Sequence, residues 1–151
     1  MPRFRLPSSA RAGSCIERED ARRADVRAWL AKAETDLRAA TIDLAADPPL
    51  LDDALFQWQQ AVEKAFKALL AWHDEPFRKT HSLEELGRQI VRLHVGLTDL
   101  VNRASLLTEY TWKFRYPGDV EAPSEFEARE AETLAREVHA AVLAAIGEEL
   151  L

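Results

Sequence analysis

Arg115 and Tyr116 are the residues of this chain best suited by type and place to hold a ligand. They stand in Thr108-Glu-Tyr-Thr-Trp-Lys-Phe-Arg115-Tyr116-Pro117-Gly118-Asp119, where a helical pattern ends and a break precedes the next helix. A guanidinium can clamp a phosphate through two parallel hydrogen bonds, and a tyrosine ring can stack on a base. The competing arrangement is purely structural: Arg115 pairs with a helix carboxylate and Tyr116 packs under the loop. The residues alone leave both open. No histidine follows Arg115 at short range, so the break lacks the usual group for moving a proton at neutral pH.

Other candidates lie upstream. Gln60, Lys64 and Lys67 stand at i, i+4 and i+7 and share one helix face. They could extend a basic groove, or form a plain solvated face. His81 directly precedes Ser82, which opens a helix, and could meet an anion at that positive end; the alternative is a hydrogen bond within the loop. Trp112 and Phe114 flank the break and could cover a dimer seam or be buried in the chain's own core.

No metal site is predicted. The four histidines are His73, His81, His94 and His139; none stands four residues from another, and one cysteine, Cys15, allows no Cys-x-x-Cys. Glu132, Arg136 and His139 line up on one helix and read as a solvated charged face. Glycine-rich phosphate loops and a serine-nucleophile elbow are lacking. No catalytic residue and no cofactor are therefore assigned.

The elements that must position these residues are helices. The first runs from about Glu17 to Ala46 with Val26, Trp29, Leu30, Ala33, Leu37, Ala40 and Leu44 at helical spacing, and Pro48-Pro49 ends it. The second spans about Leu51 to Trp72 on Leu55, Trp58, Val62, Ala65, Leu69 and Trp72. Ser82-Leu-Glu-Glu85 is a capping box that opens the third. A joint at Gly96–Asp99 leads to a fourth, which runs to about Trp112. Ser124-Glu-Phe-Glu127, a second capping box, opens the fifth. No useful period-two alternation occurs. The fold class is all-α: an up-and-down bundle of four long helices plus a short one.

Composition sets the outer bounds. A chain of 151 residues, 47% hydrophobic, makes one domain with one core. The net charge of −6 argues against a general nucleic-acid coat but permits a local basic site. Residues 1–16 carry Arg3, Arg5 and Arg11 and no acid. They read as a disordered basic tail, ahead of a bundle over 17–151. No apolar run reaches the ~18 residues of a membrane span, and no secretory signal is evident, so the expected place is the cytoplasm.

The runs Trp29-Leu-Ala-Lys-Ala-Glu-Thr-Asp36-Leu37, Phe56-Gln-Trp-Gln-Gln60-Ala-Val-Glu63-Lys64-Ala-Phe-Lys67-Ala-Leu-Leu70 and Thr80-His81-Ser82-Leu83-Glu-Glu-Leu86, followed by Tyr110 and Arg115-Tyr116-Pro117, together resemble the HEPN domain, named for nucleotide binding in higher eukaryotes and prokaryotes. The likeness covers about residues 24–148. It implies a helical homodimer, often encoded beside or fused to a minimal nucleotidyltransferase. Some members are metal-independent ribonucleases acting as toxins in toxin–antitoxin pairs. These carry an arginine, a polar residue and, a few residues on, a histidine near the start of the last helix. Others lack that motif and bind nucleotides or serve as partners.

This chain departs from the ribonuclease pattern, because the next histidine after Arg115 is His139. Arg88-Gln89 to His94 matches the string, but within one helix six residues turn the two side chains about 240° apart. The reading is a non-catalytic HEPN protein that binds a nucleotide or RNA through Arg115, Tyr116, His81, Lys64, Lys67 and Gln60 and acts with a nucleotidyltransferase. A ribonuclease toxin and a pure protein-interaction module are the alternatives.

Overall fold

A computed structural model describes residues 8–118, 120–147 and 150, with side chains from Ser14 onward. Five α-helices follow in order among the described residues: α1 (Ser8–Ala45), α2 (Leu51–Trp72), α3 (Leu83–Leu93), α4 (Thr98–Ser105) and α5 (Glu125–Ile146). Short 3-10 turns at Val95–Leu97 and Leu106–Thr111 flank α4. The described residues form no strand, and the all-α bundle is as the periodicity predicts. None of their helices is long and apolar enough to cross a membrane.

The second helix is the spine. Fourteen of its 22 residues are buried, so it cannot lie on the surface with one apolar stripe; it must be wrapped. It packs most extensively on α1, then on α5, and also meets α3 and the 3-10 turn before the break. Leu55, Trp58, Val62, Ala65 and Leu69 are fully buried along it. Val26, Ala33 and Ala40 of α1 and Ala131, Ala135 and Val138 of α5 close on it from two sides. Alanine recurs at these contacts because a small side chain lets helix axes approach closely.

Two helix boundaries differ from the sequence reading. The first helix begins at Ser8, not Glu17, so Ser8–Ile16 of the expected tail is helical; residues 1–7 lie outside the described residues. Ala10, Arg11, Ala12, Glu17, Arg18 and Glu19 are good helix formers, and Arg23 pairs with Glu19 one turn back at 2.9 Å. The fourth helix stops being α at Ser105 and tightens to 3-10 through Thr111.

Both predicted caps form on their serine side. The Ser82 hydroxyl accepts from the Glu85 amide at 3.2 Å, and the Ser124 hydroxyl from the Glu127 amide at 3.0 Å. Tertiary partners take the glutamates instead. Glu85 receives both arms of Arg78 at 2.6 and 2.9 Å, and Glu127 accepts from the Tyr110 hydroxyl at 2.7 Å. Burial and that carboxylate together push the Tyr110 phenol well above its ordinary pKa.

Candidate functional site

The residues singled out in the sequence fall into two groups along α2. The first group is the break after Thr111. Arg115 lays its guanidinium 4.2 Å from the centre of the Phe56 ring and donates to Asp53 Oδ1 at 3.2 Å, near the start of α2. This is the carboxylate pairing that the residue types allowed. Tyr116 does not pack under the loop: it is 78% exposed. Phe114 stacks on Tyr110 with ring centres 5.9 Å apart and joins the core, whereas Trp112 stays 61% exposed. Beside them a small cavity of about 330 Å³ opens between Lys113, Phe114, Val120 and Glu127. Asp119, part of the same motif, lies outside the described residues.

The second group sits two to three turns further along α2, about 10 Å on at 1.5 Å per residue from Phe56 to Glu63. Here Glu63 is buried and fully engaged. Its Oε1 accepts from Lys67 Nζ at 2.7 Å, and its Oε2 from His81 Nδ1 at 3.0 Å and from Gln59 Nε2 at 3.3 Å. The Gln59 amide also reaches the His81 carbonyl oxygen at 3.3 Å, and Gln60 donates to Gln59 Oε1 at 2.7 Å. Lys67 lies 5.3 Å from the Trp29 ring centre and 6.0 Å from that of Phe77, so aromatic faces wall the ammonium.

Neither sequence expectation for Lys67 describes this arrangement. Lys67 is 6% exposed, so it is neither groove nor solvated face. A lysine in an interior is stable only with a carboxylate beside it, and Glu63 one turn earlier supplies it. Lys64 is half-buried and bonds Asp36 of α1. His81 does not stand free at the helix end; its Nδ1–H is bound to Glu63, while 66% of its side chain is open to solvent.

Two further clusters come from tertiary structure. His73 and His94 end α2 and α3, and their Nε2 atoms approach to 2.7 Å, one donating and one accepting. Burial, His94 and the Arg22 charge all lower the His73 pKa, with Glu75 opposing. The third helix stops at Leu93 and His94 leaves helical geometry at φ −136. The 240° separation from Arg88, which assumed an unbroken helix, therefore does not hold. On α5, Arg136 bonds Glu132 at 3.1 Å and Thr41 of α1 at 2.9 Å, and His139 lies 3.9 Å from Glu34. The row that reads as a solvated face thus packs on α1. Burial lowers the His139 pKa, as does Arg136, against Glu34.

Gln59 and Glu63 carry no flag in residue type, because both sit among the apolar positions of α2. The spacing of Glu63 four residues before Lys67 is the signal that could mark them. Among the described residues, no three His, Cys, Asp or Glu side chains converge to hold a metal ion.

Residues 26–147 match the HEPN domain. The chain belongs to the HEPN family. The match begins where α1 first enters the core, at Val26, and ends at Gly147, which closes α5. Each stretch that carries the resemblance has a physical role in this HEPN domain. Gln59, Glu63 and Lys67 form a buried polar network that His81 joins from the surface, Asp36 holds Lys64, and Arg115 ties the break to α2. No curated protein and no solved structure matches the chain.

Proposed function

We propose that this HEPN domain is a non-catalytic component that binds a nucleotide or an RNA end at the Arg115–Tyr116 break. One observation carries the reading: an exposed tyrosine ring stands beside an arginine already laid out on Phe56. The Arg115–Asp53 pair does not block the site. Both side chains are 40% or more exposed, and such pairs are worth about 0–1 kcal/mol. A phosphate that accepts two charge-assisted bonds displaces that partner. Tyr116 then stacks on the base, a contact worth about 1–3 kcal/mol.

Gln60, Lys64, Lys67 and His81 serve this site indirectly. They fix α2 against α1 and the loop before α3, with His81 the most open to solvent and Lys67 the most buried. The domain acts as a homodimer, with Trp112 at the seam, beside a minimal nucleotidyltransferase in the cytoplasm. The absence of a histidine near Arg115 supports a binding role over a ribonuclease toxin.

Titration of a fluorescent adenine nucleotide against wild type, Arg115→Ala and Tyr116→Ala tests the site. Each substitution is expected to weaken binding by about tenfold, within the range that stacking and phosphate contacts supply. Equal binding by all three proteins overturns the site. Metal-independent cleavage of RNA by the purified protein overturns the non-catalytic part, and a monomer at micromolar concentration in sedimentation overturns the dimer.

A further inference from the structure

At the far end of α2 from Arg115, the chain between α2 and α3 and one side of α3 enclose an open groove of about 870 Å³. Its walls carry Arg78, Arg88 and Arg92, with Gln89 and Phe77 between them and Glu85 as the one acid. The three cations and one carboxylate leave a net +2 in a chain whose total is −6. That is a local reversal of sign.

The state of the arginines points outward. Glu85 is taken by Arg78 through both nitrogens. Among the described residues, neither Arg88 nor Arg92 has a carboxylate within ion-pair distance, although the chain has more acids than bases. They stand one turn apart on α3 and so repel each other. The negative end of the helix accounts for Arg92; Arg88 is left sharing the field of a Glu85 that Arg78 already holds. The groove is also held in shape. Gln89 Nε2 donates to the Pro76 carbonyl oxygen at 2.8 Å, pinning the loop to α3. Phe77 is fixed edge-on against Trp29 with ring centres 6.1 Å apart. Unpaired guanidinium groups on a rigid wall, with a planar fork of donors each, suit phosphate oxygens.

We propose that this groove is a second anion site, in which Arg88 and Arg92 bind successive phosphates of a single RNA strand or the phosphates of a nucleotide. It shares its ligand class with the Arg115 break but not its residues. The groove wall Phe77 packs beside Lys67, and from Asp53 to Lys67 the helix spans roughly 21 Å, so one mononucleotide cannot occupy both.

The test uses the full chain and a labelled single-stranded RNA, with pyrophosphate and ADP as competitors. Wild type is compared with Arg88→Gln/Arg92→Gln, with Arg38→Gln as an exposed control on α1 away from the groove, and with Arg115→Ala. The double variant is expected to bind RNA at least tenfold more weakly, and its log–log salt slope to fall by about 1.4, at about 0.7 per lost single-strand contact. Arg38→Gln should match wild type. In the Arg115→Ala background, competition by ADP or pyrophosphate marks a terminal phosphate as the ligand of the groove; competition by unlabelled RNA alone marks the strand. Both support the groove. Unchanged affinity and slope in the double variant overturn it, even if Arg115→Ala loses binding and the break stands. Loss in the double variant but not in Arg115→Ala supports the groove and rejects the break. No binding of any probe by wild type rejects both.

Discussion

Replacing Lys67 by methionine removes one charge of a buried pair and leaves the other behind. The side chains of Lys67 and Glu63 are 7% and 3% exposed, and Nζ stands 2.7 Å from Oε1. Without the ammonium, the Glu63 carboxylate keeps only His81, Gln59 and Gln60 as donors. Breaking one member of a buried pair costs about 3–5 kcal/mol. Methionine fills most of the lysine stem's volume between Trp29 and Phe77, which favours the lower end of that range. For a domain of this size, about 3 kcal/mol lowers Tm by roughly 6–12 °C. The double variant Glu63→Gln/Lys67→Met removes the stranded charge as well. It should recover most of the loss, because neutral replacement of a buried pair is often harmless. Urea titrations at pH 7, read by helical circular dichroism, measure both. A single variant within about 1 kcal/mol of wild type, or a double variant less stable than the single, refutes the reading of a desolvated pair.

Two other predictions test the frame around the sites. A methyl at Gly87 collides with Val101 of α4; Gly87→Ala is expected to cost about 1–3 kcal/mol from overpacking, reduced by about 1 kcal/mol of helix propensity, and Val101→Ala in the same chain should recover part of the loss. If Gly87→Ala alone raises the urea midpoint, the close α3–α4 contact is wrong. The lowered pKa values of His73 and His139 set a pH dependence. Below their unfolded pKa of about 6.5 the unfolded chain binds more protons than the folded one, so stability is lost as pH falls through that range and is complete above it. Urea midpoints between pH 7.5 and 5.5 should therefore drop toward acid, and less so in His139→Leu; a flat or rising profile in wild type refutes the neutral, partly buried imidazoles.

The helices were legible wherever an apolar stripe ran at helical spacing. Leu51–Trp72 matches its sequence boundaries because Pro48-Pro49 and the His73–Pro76 stretch bracket it. Ser82 and Ser124 announce their helices through a local bond, which spacing can show. The start of α1 was less legible, since Ser8–Ser14 holds three serines and a glycine and carries no apolar period at all. The site was half legible. Arg115 sits where the break put it, but its partners Asp53 and Phe56 lie some sixty residues away. His73 and His94 meet across 21 residues. Contacts of that kind depend on how helices cross, and no spacing along the chain encodes them. Lys67 misled for a related reason. A periodic polar row looks solvated when the helix is taken alone, yet α2 is wrapped by its neighbours, so Lys67 is drawn inside onto Glu63 while Lys64 turns to Asp36 of α1.

That wrapping gives α2 a role at both candidate sites. Asp53 and Phe56 near its start hold Arg115 in place for a ligand at the break. Lys67, three turns on, lies against the ring of Phe77, and that ring is a wall of the basic groove. The two sites therefore differ in their dependence on the buried pair. Lys67→Met takes the cation from the Phe77 face but leaves Asp53, Phe56 and Arg115 untouched. At temperatures where the variant is still folded, RNA binding through the groove should weaken while nucleotide binding at the break holds. Equal weakening of both, measured on the same folded protein, would mean that α2 moves as a unit and that the sites are not separable.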